Sequence, residues 1–162
     1  MEIKIKKVRS NAIIPKYAHS NDSGADLFIS NIKKVNKDTG KLEDINSQEY
    51  TISPFETVLC QTGIVLIPPT GIDIEVRPTS GNSLKTPLRI PNSPATIDNG
   101  YRGELGVIIQ NVSEKEYTIK NGDKIAQMLI HRYEQADFCE VSDIDVTDRG
   151  VSGYGSTGIA GK

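Results

Sequence analysis

Short alternating segments dominate the pattern of apolar and polar residues along the chain. Residues 2–8 alternate, with Ile3 and Ile5 on one face, and residues 72–76 alternate in the same way. Four further runs have the length of short strands: residues 57–60, 63–67, 105–110 and 138–144. Many short strands separated by Gly, Pro and Asn turn signals predict an all-β sandwich or barrel, such as a jelly roll.

Two segments depart from this pattern. Residues 123–138 carry apolar side chains at helical spacing, namely Ile125, Met128, Leu129, Tyr133 and Ala136. Periodicity alone supports helix and strand equally there, but the turn signal at 121–122 and the short strand-like units around it favour a strand. A short helix is predicted after Pro78, where Ser80 can cap a turn that ends at Leu84.

Two polar segments are not core-like. Residues 31–48 are rich in Lys, Asn and Asp, which predicts a solvated hairpin or loop insertion; a partner-binding arm is the less favoured alternative. The glycine-rich tail from Arg149 is predicted to be mobile in the free protein. The predicted organisation is therefore one β domain over residues 1–148, with the 31–48 insertion, followed by a flexible arm over 149–162.

Composition narrows the class of protein. The 162 residues are 36% hydrophobic, which suits one domain with a core, and the net charge is −2. Without a basic surplus, a nucleic-acid partner is excluded, and without an apolar run of about eighteen residues no membrane partner is expected. The alternating start at residues 1–6 is unlike a signal peptide, and Cys60 and Cys139 form no CxxC motif. We therefore expect a reduced, cytoplasmic location.

The tail at 153–158 matches the pattern GxGxxG. A dinucleotide-binding fold needs a helix after that pattern, and only four residues follow, so this interpretation is excluded. The backbone N–H groups, the hydroxyls of Ser156 and Thr157 and the Arg149 guanidinium are nevertheless good phosphate donors. Tyr154 adds a ring that can stack on a base. From the residues alone, a nucleotide lid and a disordered tail are equally supported.

Two other stretches could carry phosphate and acid–base chemistry. Ser80 and Gly81 expose a hydroxyl and N–H groups at the start of a helical turn, which suits a phosphate or a plain helix cap. Asp98 lies in a turn-rich stretch, residues 92–104, three residues before Tyr101. An Asp there is most often a turn former, and the functional alternative is a general base for water.

Two single residues complete the set of candidates. Gln127 interrupts an apolar segment, so it is either an edge residue or a ligand contact. Asp26 sits between small and apolar residues in the stretch 22–27 and is expected to be partly buried. A buried carboxylate needs hydrogen-bond partners or a metal shell.

Taken in chain order, the five stretches around Asp26, Ser80, Asp98, Gln127 and the glycine-rich tail resemble the five motifs of the trimeric dUTP diphosphatase (dUTPase) family. The resemblance spans residues 22–158 and is most specific over three segments: residues 97–104, 122–128 and 149–158. It implies a jelly-roll subunit with one short helix that assembles as a homotrimer. It also implies Mg²⁺-dependent hydrolysis of dUTP to dUMP and pyrophosphate, in sites shared between subunits and closed by the C-terminal arm.

The same resemblance implies roles for single residues. Asp98 would activate water for attack on the α-phosphorus, Tyr101 would pack beneath the deoxyribose and exclude a 2′-hydroxyl, and Asp26 would orient waters around Mg²⁺. The uracil would be contacted by Asn92, Thr96, Ile97 and Tyr154. The phosphates would be held by the 79–81 stretch and the arm, that is by Thr79, Ser80, Gly81, Gln127, Arg149, Gly155, Ser156 and Thr157.

The chain departs from the family pattern at a few positions. Thr79 stands where the family usually has Arg, and the missing charge could come from one of three residues: Arg77, Lys85 or Arg89. Ala95 stands where Gly is usual, which would strain the backbone if that position needs a positive φ. Ser152 replaces a usual Gly, and Tyr154 replaces a usual Phe. These departures leave an alternative function: a nucleotide-sensing or regulatory module of the dUTPase fold with weakened catalysis.

Overall fold

A computed structural model describes residues 1–152, and strands make up nearly all of the regular structure in that range. The elements follow one another in this order: β1 (Lys4–Lys7), β2 (Ala25–Phe28), β3 (Asn31–Val35), β4 (Leu42–Asp44), β5 (Glu49–Ile52), β6 (Thr57–Gln61), β7 (Ile64–Ile67), β8 (Ile72–Arg77), α1 (Ser80–Lys85), β9 (Leu88–Arg89), β10 (Ala95–Ile97), β11 (Gly106–Asn111), β12 (Tyr117–Lys120) and β13 (Lys124–Arg132). The helix α1 is too short to cross a membrane, and the part of the chain that the structure describes contains no other helix.

The strands form four antiparallel sheets. A four-stranded sheet has the order β10-β8-β13-β2, and a five-stranded sheet has the order β4-β3-β6-β11-β9. Two strand pairs, β1-β7 and β12-β5, complete the set. Apolar side chains from both large sheets, such as Ile74 and Val107, belong to one buried cluster. The large sheets therefore enclose a common core, and the prediction of an all-β jelly roll with one short helix is confirmed.

Strand β8 shows how the residue pattern produces the sheet. Ile72, Ile74 and Val76 are buried, whereas Asp73 and Glu75 between them are only partly covered. Because successive strand side chains point to opposite faces, this alternation gives β8 one face on the core and one face on its outer side.

The ambiguous segment after residue 123 is a strand. β13 pairs with β8 on one side and with β2 on the other, and its register shifts between Lys124 and Ala126. Ile125, Ala126 and Met128 are all buried. Their helix-like spacing has a structural cause, because a β-bulge inserts one extra residue and disturbs the period of two.

Two local predictions were wrong. Residues 138–144 form no strand in the structure. The chain there is irregular and Phe138 is 99% exposed, because none of the strands within residues 1–152 pairs with this segment. The helix after Pro78 is present, but its cap is Thr79 instead of Ser80. The Thr79 hydroxyl accepts a hydrogen bond from the Asn82 N–H at 3.2 Å, which satisfies one of the free donors of the first turn.

Residues 31–48 contain the hairpin β3-β4. The tip between the two strands is exposed, as the polar composition led us to expect. β3 also pairs with β6 in the five-stranded sheet, and its Ile32 is fully buried. The hairpin therefore combines a solvated tip with a strand that belongs to the core sheet.

Candidate active site

Asp98 lies in a tightly held turn directly after β10. The backbone N–H of Tyr101 donates to the Asp98 carbonyl at 3.0 Å. The Asn99 side chain donates to the carbonyls of Pro69 and Ile72, each at 2.8 Å, and so ties the turn to the start of β8. The Asp98 side chain is exposed, so its carboxylate is free to meet a ligand.

A cavity of about 250 Å³ opens beside this turn. We call it the Asp98 pocket, and it brings together five of the site residues predicted from sequence: Asn92, Thr96, Ile97, Asp98 and Tyr101. Its apolar wall comes from three residues that were not predicted: Leu59, Gly106 and Ile108. They lie on β6 and β11, whose pairing juxtaposes residues 45 to 53 positions apart in the chain, so no local motif identifies them.

Gly106 has a steric role in this pocket. A Cβ at this position would lie 2.7 Å from Leu59 Cδ1. The glycine therefore allows the Leu59 side chain to lie close against β11 in the wall of the pocket.

A second cavity, of about 380 Å³, lies where α1 begins. We call it the Ser80 pocket, and it brings together four predicted site residues: Asp26, Thr79, Ser80 and Gln127. The Gln127 side chain donates to the Pro78 carbonyl at 3.0 Å, which links β13 to the segment before the helix. A Cβ on Gly24 would lie 2.1 Å from Gln127 Oε1, so a glycine at this position makes room for the amide. Gly81 is exposed on the first turn of α1.

Two cations line the Ser80 pocket, Arg77 and Lys124. Arg77 Nε donates to Glu75 Oε2 at 2.8 Å, and Lys124 Nζ lies 3.2 Å from Asp26 Oδ2. Lys124 was not predicted as a site residue. Strict alternation places residues three apart on opposite faces, but the bulge after Lys124 brings it to the same pocket as Gln127.

The other two candidates for the missing charge lie elsewhere. Lys85 is exposed in the last turn of α1 and does not line the Ser80 pocket. Arg89 uses its guanidinium on its own segment, since Nη1 donates to the carbonyls of Thr86 at 2.9 Å and Leu88 at 2.7 Å. Of the three, Arg77 alone faces the pocket that Ser80 and Gln127 line.

Ala95 causes no backbone strain. It is the first residue of β10 and pairs with Val76. Within residues 1–152, Phe55 is the single non-glycine residue with a positive φ. The position therefore does not demand glycine in this chain.

The two pockets are separate on one chain. They have no lining residue in common in the described part of the protein. Ile97 at the end of β10 lies opposite Ile74, and Arg77 is three residues further along β8. Asp98 and Arg77 therefore lie near opposite ends of β8. A single chain thus presents two half-sites.

Arg149 lines neither pocket. Arg149 is exposed in a turn, where its Nε donates to the Ser152 carbonyl at 3.0 Å. Four predicted contacts lie outside the described residues: Tyr154, Gly155, Ser156 and Thr157.

Comparison with known proteins agrees with this geometry. The dUTPase family model matches residues 44–158. The deoxyuridine 5′-triphosphate nucleotidohydrolase of Helicobacter pylori strain P12 is 38% identical over 160 residues, covering 99% of each chain. The enzyme of that name from Solibacter usitatus is 41% identical over 160 residues, covering 98% of this chain and 97% of its own.

A solved structure shows the same fold. A mutant dUTPase of Staphylococcus bacteriophage 80alpha, determined with dUpNHpp, superimposes with a TM-score of 0.81 at 24% identity and covers 98% of this chain and 99% of its own. The fold and the two half-sites define a jelly-roll subunit of a nucleotide-binding type. The chain belongs to the dUTPase family.

Proposed function

We propose that this protein is a dUTP diphosphatase, which hydrolyses dUTP to dUMP and pyrophosphate. The observation that carries the proposal is the pair of half-sites, one built around Asp98 and one around Ser80, in a chain of the dUTPase family. The relatives named deoxyuridine 5′-triphosphate nucleotidohydrolase match the chain over nearly its full length.

The Asp98 pocket suits the nucleoside. β10 is an edge strand, so the backbone N–H and C=O groups on its outer edge, around Thr96 and Ile97, are free to pair with the polar edge of uracil. The Tyr101 ring forms one wall and would lie against the deoxyribose. A wall in that place leaves no room for a 2′-hydroxyl, which is how a pocket rejects a larger competitor.

Asp98 is the general base in this proposal. Its exposed carboxylate takes a proton from water as the water oxygen bonds to the α-phosphorus. The bond from that phosphorus to the bridging oxygen breaks, and pyrophosphate leaves with the electron pair. The turn that holds Asp98 is tied down by the Asn99 side chain, so the base is positioned before the substrate arrives.

The Ser80 pocket suits the phosphates. Ser80, Gly81 and Gln127 offer hydroxyl, N–H and amide donors, and Arg77 and Lys124 add positive charge. The residues also fit Mg²⁺, because this ion keeps several waters and binds through one or two carboxylates and substrate phosphates. Asp26 supplies such a carboxylate at the pocket. Bound Mg²⁺ would neutralise charge on the triphosphate. A phage phi11 dUTPase of the same fold was solved with a structural Mg(II) ion.

We infer further that three copies assemble and that each complete site combines the Asp98 pocket of one subunit with the Ser80 pocket of another. Two observations support this assembly. The two half-sites have no lining residue in common on one described chain. The segment after β13 leaves large apolar side chains in solvent, with Phe138 99% and Val146 100% exposed, and side chains of this kind are usually covered by a partner. The arm at 149–162 is proposed to close over the bound nucleotide.

Two further predictions stand beside this proposal. A cytoplasmic location is supported by the free thiols of Cys60 and Cys139, which form no disulfide in the described chain. A protein partner at residues 31–48 stays the less favoured alternative, with nucleic acid and membrane not expected as partners.

A panel of dUTP, dTTP, UTP and dCTP with Mg²⁺ tests the proposal, with pyrophosphate release as the readout for the wild type and for Asp98→Asn. We expect dUTP alone to be hydrolysed efficiently, and the variant to bind dUTP without hydrolysing it. Efficient cleavage of dTTP would contradict the assignment of the Asp98 pocket to uracil.

The alternative of a sensing module makes a different prediction for the same panel. Thr79 carries no charge, and its hydroxyl is already used as the helix cap. If the absence of a positive charge at position 79 disables catalysis, the wild type will bind dUTP tightly but release pyrophosphate slowly.

A further inference from the structure

The Glu104 carboxylate is held by four hydrogen bonds. Oε1 accepts from Arg9 Nε at 2.8 Å and from the Gly63 N–H at 2.9 Å. Oε2 accepts from Gln61 Nε2 at 2.8 Å and from Arg9 Nη2 at 3.2 Å. An ionised carboxylate offers about four lone-pair positions, so this one is fully satisfied. Its side chain is only 15% exposed.

Glu104 in turn fixes the ring of Tyr101. The Tyr101 hydroxyl donates to the Glu104 backbone carbonyl at 3.1 Å. The ring lies over Gly103, where an added Cβ would be 2.3 Å from the Tyr101 oxygen and 2.4 Å from Cζ. The position of the ring wall therefore depends on where the 103–104 backbone is held, and the Glu104 side chain holds it.

We propose that Glu104 is a positioning residue for Tyr101, and that Arg9 is the cation that keeps Glu104 in place. The inference rests on the proposed function, in which the Tyr101 ring excludes the 2′-hydroxyl of a ribonucleotide. It assigns a share in sugar specificity to Glu104, which ends the 97–104 segment and borders the Asp98 pocket, and to Arg9, which lies outside the motifs. Both would act through the position of the Tyr101 ring.

The ion pair between Arg9 and Glu104 is a strong one. The hydrogen bond to Glu104 raises the pKa of Arg9, so the guanidinium keeps its positive charge. Bidentate pairs of this kind are stronger and more directional than neutral hydrogen bonds. They also connect distant parts of the chain, since Arg9 precedes Glu104 by 95 positions.

The network continues into the β3-β4 hairpin. Asn31 Nδ2 donates to Gln61 Oε1 at 3.0 Å and to Asp44 Oδ1 at 2.6 Å. Gln61 is thereby oriented with its amide nitrogen towards Glu104. The support behind Tyr101 thus comes from the N-terminal segment, β6 and the hairpin together.

The test compares kcat/KM for dUTP with kcat/KM for UTP in the Glu104→Gln variant of the full chain. The substitution places an NH₂ group against donors from Arg9 and Gln61, or against the Gly63 N–H if the amide is flipped, so the 103–104 backbone should shift. We expect the dUTP preference to fall about tenfold, the effect of losing one charge-assisted hydrogen bond.

Glu56→Gln is the matched control. Glu56 is also a carboxylate that holds a tyrosine, accepting from Tyr50 Oη at 2.7 Å, but it precedes the opposite end of β6. We expect its dUTP preference to stay within about twofold of the wild type, as for a change away from the site. A general loss of stability in either variant would lower kcat/KM for dUTP and for UTP together and leave the dUTP preference unchanged.

Arg9→Gln covers the case in which Glu104→Gln does not fold, because the Arg9 side chain is 32% exposed and tolerates change. We expect about a threefold loss of preference, since half of the carboxylate's bonds remain. An unchanged preference in the variants that fold overturns the inference.

Tyr101→Ala distinguishes the positioning role of Glu104 and Arg9 from the role of Tyr101 as the wall against the sugar. If it lowers the dUTP preference while the Glu104 and Arg9 variants do not, the positioning role alone is wrong. If Tyr101→Ala itself leaves the preference unchanged, the sugar-wall role in the proposed function is wrong, and the inference fails with it.

Discussion

Arg77 is placed to supply the charge that Thr79 lacks. Both residues line the Ser80 pocket, but Thr79 uses its hydroxyl to cap α1. Arg77 has a side chain that is 42% exposed and is held by Glu75 on the same strand. A substrate phosphate could replace or share that partner, because a guanidinium carries five donors.

Arg77→Ala should therefore impair turnover of dUTP. A charge-assisted hydrogen bond contributes about 1.5–3 kcal/mol, so we expect kcat/KM to fall by roughly ten- to a hundredfold. Steady-state pyrophosphate release measures the effect. Arg89→Ala is the matched control, since that guanidinium binds only nearby carbonyls in the described chain; it should change kcat/KM by less than about twofold. Equal kinetics for the two variants would contradict the role of Arg77.

At the scale of the elements, Asn111 joins β11 to the segment around β5. It is fully buried. Its Nδ2 donates to the carbonyls of Lys115 at 2.7 Å and of Ile52 and Ser53 at 3.2 Å each. Its Oδ1 accepts from the Ser113 N–H at 3.0 Å. One amide thus satisfies backbone groups next to the end of β5 and before β12, of which the Ile52 carbonyl is buried.

Asn111→Ala should destabilise the fold strongly. It removes the amide donor from the buried Ile52 carbonyl and from the partly buried Ser53 carbonyl, and each such loss costs about 1–3 kcal/mol, so we expect a decrease of about 2–4 kcal/mol in the free energy of unfolding. Urea unfolding followed by circular dichroism measures it. Asn46→Ala, at an exposed position, should stay within about 0.5 kcal/mol of the wild type. A similar small effect for Asn111→Ala would show that water replaces the amide.

At the scale of the whole molecule, the segment that follows β13 leaves large apolar side chains uncovered in the described part of one chain. Phe138 is 99% exposed, Ile144 is 85% exposed and Val146 is 100% exposed. The sequence predicted a strand over 138–144, and no strand in the described part of one chain pairs with it. A neighbouring subunit would provide cover for the same side chains.

Replacing Phe138 and Ile144 together by Ser should weaken the assembly. Light scattering coupled to size exclusion should give about 53 kDa for the wild type, three times the 17.7 kDa of one chain, and a lower mass for the variant. Turnover should fall with the mass, since each complete site needs two half-sites. Val35→Ser, at an exposed apolar position of the hairpin, should leave the mass unchanged. A wild type of one-chain mass would exclude the trimer.

The sequence by itself determined the features that depend on neighbouring residues. The alternation of Ile72, Ile74 and Val76 predicted β8, because a strand turns every second side chain to the same face. The turn at Asp98 and the short helix after Pro78 were likewise predicted from local chemistry. The motifs predicted which residues contact a nucleotide, and the comparisons show the family that they implied.

Only the tertiary structure decided how these pieces meet. Lys124 and Gln127 line the same pocket because of a β-bulge in β13. In the sequence, the same bulge gives the apolar residues a helix-like spacing. Leu59 reaches the Asp98 pocket through the pairing of β6 with β11, and Arg9 reaches Glu104 across 95 positions. The physical reason is the same in each case. Strand pairing and long-range ion pairs are set by the packing of the whole core, whereas sequence patterns record only which face or turn each residue prefers.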